Sequence, residues 1–369
     1  MTTIDVSAPP AVPDGRAASR LLGWPVPQHV TIAIVIVIGV LLPFVVRDSF
    51  WLGTLTLALI WIVLNQSWNL VLGYSGIWNF GQLAIYAIGG YTAAMLSLRG
   101  GVPAWLAIIA GGAVAAVAAL IIAVPALRLR GIYVSLLTFG FAEVVRLLVI
   151  ADQSGFTGGS FGLSNIPGYQ LSDLDPQARA RAYYWIAFAV MLISTLVVFF
   201  VIRSPIGTGL TALRDNPSLA AARGISPRRY QFVSFGISGF LAGVAGSMYA
   251  FNYSVISPTV MGLGPLTLLV TMLVVGGLGT QTGPIVGTLV ITIVSARLEQ
   301  YPEVRLILLG LVLLLIVLLM PRGIVPLATA AKRRIGRWVA EDEGDDGDDG
   351  EEPELPDVPD DDPQPASTG

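Results

Sequence analysis

The sequence predicts an all-α, polytopic membrane protein of about ten transmembrane helices, with two inverted five-helix halves as one arrangement the topology permits. Three observations predict it. Of 369 residues, 54% are hydrophobic, and the mean hydropathy is +0.74. Only 12% are charged, about half the roughly 25% of a soluble domain, which leaves too little polar surface to face water. The apolar residues also fall into ten runs near the ~20-residue length that a helix needs to cross a bilayer core.

Residues 1–29 are rich in Pro, Ala and small polar residues, show no period, and read as a disordered cytoplasmic lead. The first apolar run, Val30 to Val46, lacks a small-residue cleavage site and is followed directly by Arg47-Asp48, so it reads as a retained span rather than a signal peptide. The next spans run near 51–72, 77–98, 102–126, 131–151, 182–202 and 231–256. The last three run near 262–279, 283–298 and 303–320. The eighth and ninth are short and meet at Gly276-Gly277-Leu278-Gly279-Thr280-Gln281-Thr282-Gly283-Pro284, which suits either a tight turn or a re-entrant break. Non-helical backbone at membrane depth is tolerated only where protein or a wet cavity satisfies it. The membrane domain thus covers 30–327, with a long loop at 203–230. A basic juxtamembrane segment and an acidic tail fill 328–369, and the tail is too polar to offset its ordering entropy.

The net charge of −3 hides two opposed parts. Fourteen of the twenty-four acids lie between Glu341 and Asp362, leaving ten acids against twenty-one bases elsewhere. Lys332 is the only lysine, a bias that an Arg-, Ala- and Gly-favouring genome explains as well as function does. With the N-terminus in the cytoplasm, ten spans put fourteen bases on the cytoplasmic side and six on the outer side, with Arg146 inside a span. That is the positive-inside bias, and it places both termini in the cytoplasm.

Several chemistries lack material. There is no cysteine, so thiolate metal sites are excluded, and the one histidine, His29, leaves almost no material for a His-metal cluster or a Ser-His-Asp triad. A phosphate-binding Gly-x-x-x-x-Gly-Lys-Ser/Thr loop is also missing, because the single lysine follows Ala331. No catalytic or metal-ligating residue is assigned, and if ATP drives this protein another subunit binds it.

The loop 203–230 carries helix signals. Asn216 before Pro217 is an N-cap with proline at the first helical position. Leu219 to Arg223 favour helix and Gly224 suits a C-terminal cap. Ser226-Pro227 repeats the start signal into span seven. A short capped helix between two spans is a rigid lever that a partner can push; the alternative is a capped connector.

Within the spans, Glu143 and Arg146 stand three apart on one helical face and can pair. Charge at such depth is usually paired, or functional and facing a bundle interior. The pair suits either a brace for the bundle or transient contact with a permeant zwitterion, and Arg146 is near enough to the outer end to snorkel. Asn79 and Gln82, also three apart, suit a pathway lining, while Gly81, Gly89 and Gly90 permit close helix approach. The candidate pathway set is Tyr74, Asn79, Gln82, Tyr133, Thr138, Glu143 and Arg146. Packing is the alternative reading for the glycine-rich segments. The Gly-rich outer loop Gly155–Leu163 is adaptable enough to meet a docking protein.

These segments resemble one known family. Leu70–Gly76, Phe80-Gly81-Gln82, Gly89–Ala93, Leu129–Tyr133, Phe141–Arg146 and Thr157–Leu163 are similar, in order and spacing, to LivM-type permeases of branched-chain amino acid ABC transporters. So are Ser204–Gly207, Ala212–Pro217, Arg223-Gly224-Ile225, Gly276–Thr280 with Gly283-Pro284, and Pro321–Ile324. The resemblance covers about residues 30–327. Gln82 departs from the histidine usual in the family, Trp78-Asn79 replaces a smaller or apolar pair, and the acidic tail is not a family feature. Relatives also move urea or short amides.

The resemblance implies an inner-membrane permease for leucine, isoleucine and valine or similar solutes. It further implies a LivH-type permease partner, two cytoplasmic ABC ATPase subunits holding ATP and Mg, and an extracytoplasmic solute-binding protein. No cofactor is bound by this chain itself, the lipid bilayer surrounds it, and nucleic acid is not a partner. Carried over by position, the ATPase-coupling residues are Gly207, Arg214, Asp215, Asn216, Pro217, Ala221 and Gly224. An ion-coupled secondary transporter would need intramembrane carboxylates, and only Glu143 is clearly available. A non-transporting scaffold or enzyme would leave the capped loop without a role.

Overall fold

The computed structural model describes residues 39–298 apart from 45, 47, 130, 170, 172 and 173, with isolated positions between 301 and 318. All belong to one unit, Gln28–Ala328. The lead, the tail and most of the first and last apolar runs lie outside the described residues.

Among the described residues, ten fully bounded α-helices follow in order. Asp48 starts α1 (Ser49–Asn69) by accepting from the Phe50 N–H at 3.0 Å, and a π turn at Leu70–Tyr74 extends it. α2 (Gln82–Gly100), α3 (Ala104–Ala126) and α4 (Ile132–Ile150) come next. α5 (Pro176–Arg203) runs into α6 (Pro205–Asp215), α7 (Pro217–Ala222) and α8 (Pro227–Tyr253), each with proline in its first turn, where the missing N–H is harmless. α9 (Leu263–Gly276) and α10 (Gly283–Arg297) close the described part. Two-residue strands β1 (Leu163–Ser164) and β2 (Val255–Ile256) pair antiparallel, Leu163 opposite Ile256.

Among the described residues, five helices are long and apolar enough to cross a membrane: α1 with its π turn, α3, α4, α5 and α8. α2 matches α4 in length but carries Gln82, Thr92, Ser97 and Arg99. α9 has 14 residues and α10 has 15. At 1.5 Å per residue each is about 21–23 Å long, short of the ~30 Å core. They pack on each other around the turn at 277–282, so the Gly276–Pro284 stretch is a helix–turn–helix. Two boundaries differ from the sequence reading by five residues or more. α5 starts six residues before 182, and the third span becomes helical only at Gln82 rather than at 77.

α1 is the axis, with its span almost wholly buried. Three of its amide side chains reach neighbouring elements. Gln66 donates to Thr195 of α5 at 2.8 Å, and Asn65 donates to Thr288 of α10 at 2.9 Å. Asn69 clasps the α9–α10 turn, donating to the Thr280 carbonyl at 2.8 Å and accepting from the Gly279 N–H at 2.9 Å. In a membrane, where helix association gains nothing from apolar burial alone, such bonds and close packing hold helices together.

α2, α3 and α8 form the second packing unit, fitted backbone to backbone. A Cβ on Gly89 would lie 2.3 Å from the Gly243 Cα, and one on Gly239 would lie 2.4 Å from the Ala119 Cβ. Ser247 bonds the Gly89 carbonyl at 3.1 Å across the same seam. The glycine pattern at 236–246 is therefore a helix contact surface.

Candidate functional site

The interhelix loop sits at the end of the bundle that also holds the π turn and the α9–α10 turn. Ser204 accepts from the Ile206 N–H at 3.2 Å and starts α6. Gly207 must be bare, since a Cβ there would lie 2.1 Å from the Ile202 carbonyl oxygen. Arg214, near the end of α6, donates through Nη1 to the Gly73 carbonyl at 2.8 Å and through Nε to Asp215 at 2.9 Å. A Cβ on Gly279 would meet the same guanidinium at 2.8 Å. One arginine thus touches both turns.

Asn216 then caps α7, its Oδ1 accepting from the Leu219 N–H at 3.0 Å, with Pro217 at the first position. The chain leaves α7 through Gly224 at φ +82, a left-handed conformation that costs other residues energy. Pro217, Ser218, Leu219, Ala221 and Ala222 are all exposed, Leu219 by 52%, and Pro217, Ser218 and Ala221 border an open cavity. Asp215 is exposed as well. The coupling candidates are thus brought together on two short consecutive helices. Beside them a cavity of about 1240 Å³ opens between α6–α7, the start of α4 and α8, and the segment from Ser75 to Trp78. Arg128, Arg214 and Arg228 line it.

Above that cavity the chain from Ser75 to Gly81 is not helical, and the pathway candidates there serve its backbone. The Trp68 Nε1–H donates to the Asn79 carbonyl at 2.7 Å. Asn79 Oδ1 accepts from the Gly81 N–H at 3.0 Å, and Thr138 Oγ1 accepts from the Phe80 N–H at 3.0 Å. Asn79 Nδ2 donates to Gln82 Oε1 at 3.1 Å, and Gln82 Nε2 donates to Ser67 at 2.9 Å and to Ser238 at 3.1 Å. Asn79, Gln82 and Thr138 are fully buried, and Tyr74 nearly so. Asn79 and Thr138 satisfy backbone N–H groups of the break, and together with Gln82 they tie α1, α2, α4 and α8 together. Ser67 and Ser238 belong to the same framework, and Asn69 does the same for the α9–α10 turn; being short polar residues in apolar runs, they carry no sequence signal of their own.

Tyr133, Glu143 and Arg146 are placed differently. They lie on α4, whose Tyr133, Leu136, Gly140, Val144 and Leu147 are exposed. Arg146 grips Glu143 with two donors, Nε at 2.9 Å from Oε2 and Nη2 on Oε1. The structure therefore separates the seven pathway candidates into four interior residues and three on an open face.

At the opposite end, Arg99 donates to the Gly155 and Phe156 carbonyls at 3.0 and 2.9 Å and stacks 4.5 Å over the Phe156 ring. Asp152, just past α4, is held well below the usual carboxylate range by hydrogen bonds from Ser154 and Thr157. Among the described residues no group of three or more His, Cys, Asp or Glu side chains could hold a metal ion.

Residues 50–317 match the family described as branched-chain amino acid transport system / permease component. The chain is 30% identical over 328 residues to the high-affinity branched-chain amino acid transport system permease protein LivM of Escherichia coli K12, covering 83% of this chain and 76% of that protein. The LivM protein of Salmonella typhimurium matches at the same identity and coverage. The LivH permease protein of E. coli K12 is 25% identical over 288 residues, covering 73% of this chain and 92% of that protein. No solved structure matches significantly.

Proposed function

The chain belongs to the permease-component family of branched-chain amino acid transport systems, and from that premise we propose that it carries leucine, isoleucine and valine inward across the inner membrane. It works as one permease of a binding-protein-dependent ABC importer. A LivH-type permease is its partner, two cytoplasmic ATPases supply the energy, and an extracytoplasmic binding protein delivers the solute. This chain carries the solute across the membrane and hydrolyses nothing itself.

One observation carries the coupling role. Arg214 joins the α6–α7 pair to the Gly73 carbonyl on the α1 turn and lies against Gly279 on the α9–α10 turn. A push on the exposed surface of α7, at Leu219 and Ala221, therefore reaches α1 and the α9–α10 pair through rigid capped helices. Gly207, Asp215, Asn216, Pro217 and Gly224 give that lever its shape. Closure of the ATPases on ATP supplies the push, and the bundle switches access from outside to inside.

The α6–α7 end faces the cytoplasm in this reading. Arg128, Arg203, Arg214, Arg223, Arg228 and Arg229 cluster there, against Arg99, Arg179, Arg181 and Arg297 at the other end. The complete membrane domain has about ten spans with both termini in the cytoplasm. Tyr133, Glu143 and Arg146 line the solute pathway, and Tyr74, Asn79, Gln82 and Thr138 shape its wall from behind.

The test is uptake of labelled leucine, isoleucine, valine and urea at low concentration in cells with and without the gene. Loss of branched-chain uptake on deletion, restored by the wild-type gene, supports the reading. Loss of urea uptake alone keeps the transporter class and changes the solute. Uptake that persists when ATP is depleted but the ion gradients are held would overturn the ABC mechanism in favour of ion coupling.

A further inference from the structure

α4 is the least buried of the five long apolar helices. On its open side Tyr133, Leu136, Gly140, Glu143 and Leu147 succeed one another at steps of three and four, which makes one straight stripe along a helix. Lipid suits the leucines of that stripe but not an ion pair. Glu143 stands eleven residues into the helix, about 17 Å from its start and so near the middle of a ~30 Å core. Its side chain is 41% exposed and that of Arg146 31%. Charges at such depth belong beside water or a polar partner.

The pair has capacity to spare. Contact with Glu143 engages two of the five N–H donors of Arg146, and among the described residues neither side chain makes another ion pair. One turn below, Gly140 leaves a notch, because a Cβ there would meet nothing within 4 Å. Exposed Leu136, Val144, Leu147 and Leu148 border the pair with aliphatic surface. The stripe also runs from end to end. At its start Gly131 and Val134 line the large cavity, and at its far end lies the loop with Phe156 and the 92%-exposed Phe161.

We infer that Glu143 and Arg146 form a transient mid-span binding site for the α-ammonium and α-carboxylate of the permeating amino acid. The inference rests on the amino-acid import proposed above. With no solute present, the two side chains neutralise each other. An arriving zwitterion offers the same two charges, so the pair exchanges one partner for another. Arg146 takes the carboxylate through its planar fork, Glu143 takes the ammonium, and the branched side chain lies along Leu136, Val144 and Leu147. Because the resting pair competes with the solute, binding is weak, as conduction past a site requires. Recognition of the zwitterion, rather than of the side chain, is the specificity this site adds.

The test uses the complete complex, with its partner permease, ATPases and binding protein, in proteoliposomes, and measures ATP-driven uptake of labelled leucine. Glu143→Leu with Arg146→Leu removes both charges, a change that a purely structural ion pair tolerates. For this variant, recovered in the assembled complex at wild-type level, the maximum uptake rate is expected to fall at least tenfold. The concentration for half-maximal uptake, set by capture on the binding protein, stays within twofold. Glu143→Gln, which keeps size and polarity, and Arg146→Gln, which keeps polarity on a shorter side chain, are expected to lower the rate similarly and decide the matter if the double variant does not assemble. Wild-type rates in the double variant, or in both glutamine variants, overturn the inference and leave the import function standing. Failure of the wild-type complex to take up any branched-chain amino acid removes the reading beneath it.

Discussion

The Arg214 guanidinium donates to the Gly73 carbonyl oxygen at 2.8 Å, joining the last turn of α6 to the π turn that ends α1. The two residues are 141 positions apart. Gly73 has no room for a side chain, since a Cβ would lie 2.4 Å from the Gly279 nitrogen. Three turns therefore share one point, with Arg214 as the polar fastener. A hydrogen bond from a charged donor contributes roughly 1.5–3 kcal/mol.

Arg214→Ala is expected to cut leucine uptake by about tenfold, the factor that ~1.4 kcal/mol represents, with normal membrane insertion. Arg214→Lys keeps the charge but loses the two-directional fork, so its uptake falls between the two. Paired measurements of uptake and of ATP hydrolysis stimulated by the loaded binding protein check this. Full coupling in Arg214→Ala would remove the fastener from the mechanism.

α7 depends on its two ends. Replacing Asn216 and Pro217 with alanines removes the cap on the Leu219 N–H and the pre-set first turn. The cap alone contributes about 1 kcal/mol, a large share for a six-residue helix. Gly224→Val forces a β-branched residue to φ +82, at a cost of about 1–2 kcal/mol. Both variants are expected to insert normally and to lose transport-coupled ATP hydrolysis. Unchanged coupling in both would show that α7 is only a connector.

How far the sequence could be read depended on what each signal means physically. Asn216-Pro217 announced α7 because a cap and a first-turn proline act locally, whatever surrounds them. Ser204-Pro205 carries the same signal for α6, yet the segment reads as loop because Gly207 and Gly209 lower its helix propensity. Those glycines answer to the tight α5–α6 junction, where Gly207 meets the Ile202 carbonyl, and to a more distant neighbour, the Tyr230 ring against Gly209. The start of α2 was obscured in a similar way. Ile77 to Phe80 are apolar enough to extend a span, and only the bond that Trp68 donates and the bond that Thr138 accepts show that this backbone is satisfied without helix. Polar residues inside spans were conspicuous, but sequence cannot tell a side chain that lines a cavity from one that is bonded on all sides.

The glycine seam gives a packing prediction. Gly246→Ala would put a methyl group 1.9 Å from the Tyr86 carbonyl oxygen, against backbone that cannot turn aside. Overpacking of this kind costs typically about 1–3 kcal/mol. Gly53→Ala on α1 is the control, because its Cβ meets nothing within 4 Å. The expected result is a lower thermal midpoint in detergent and reduced recovery for Gly246→Ala only. Equal midpoints would mean that the α2–α8 seam adjusts freely.

Gln82 separates a framework role from a pathway role. Its side chain accepts from Asn79 and donates to Ser67 and Ser238, and none of it is exposed. Gln82→Ala strands those partners in a dry interior, at about 1–3 kcal/mol for each buried group left unpaired. Thermal stability should therefore drop clearly. Gln82→Glu keeps the shape but turns the donor toward Ser67 and Ser238 into an acceptor and sets a carboxyl in the same buried place, so it should destabilise as well. If the residue acts only through the framework, the fraction of either variant that folds should carry leucine with the wild-type half-saturating concentration and the wild-type preference over urea. Folded Gln82→Ala with an altered solute preference would instead assign Gln82 to the pathway, and the break before α2 would then open during the transport cycle.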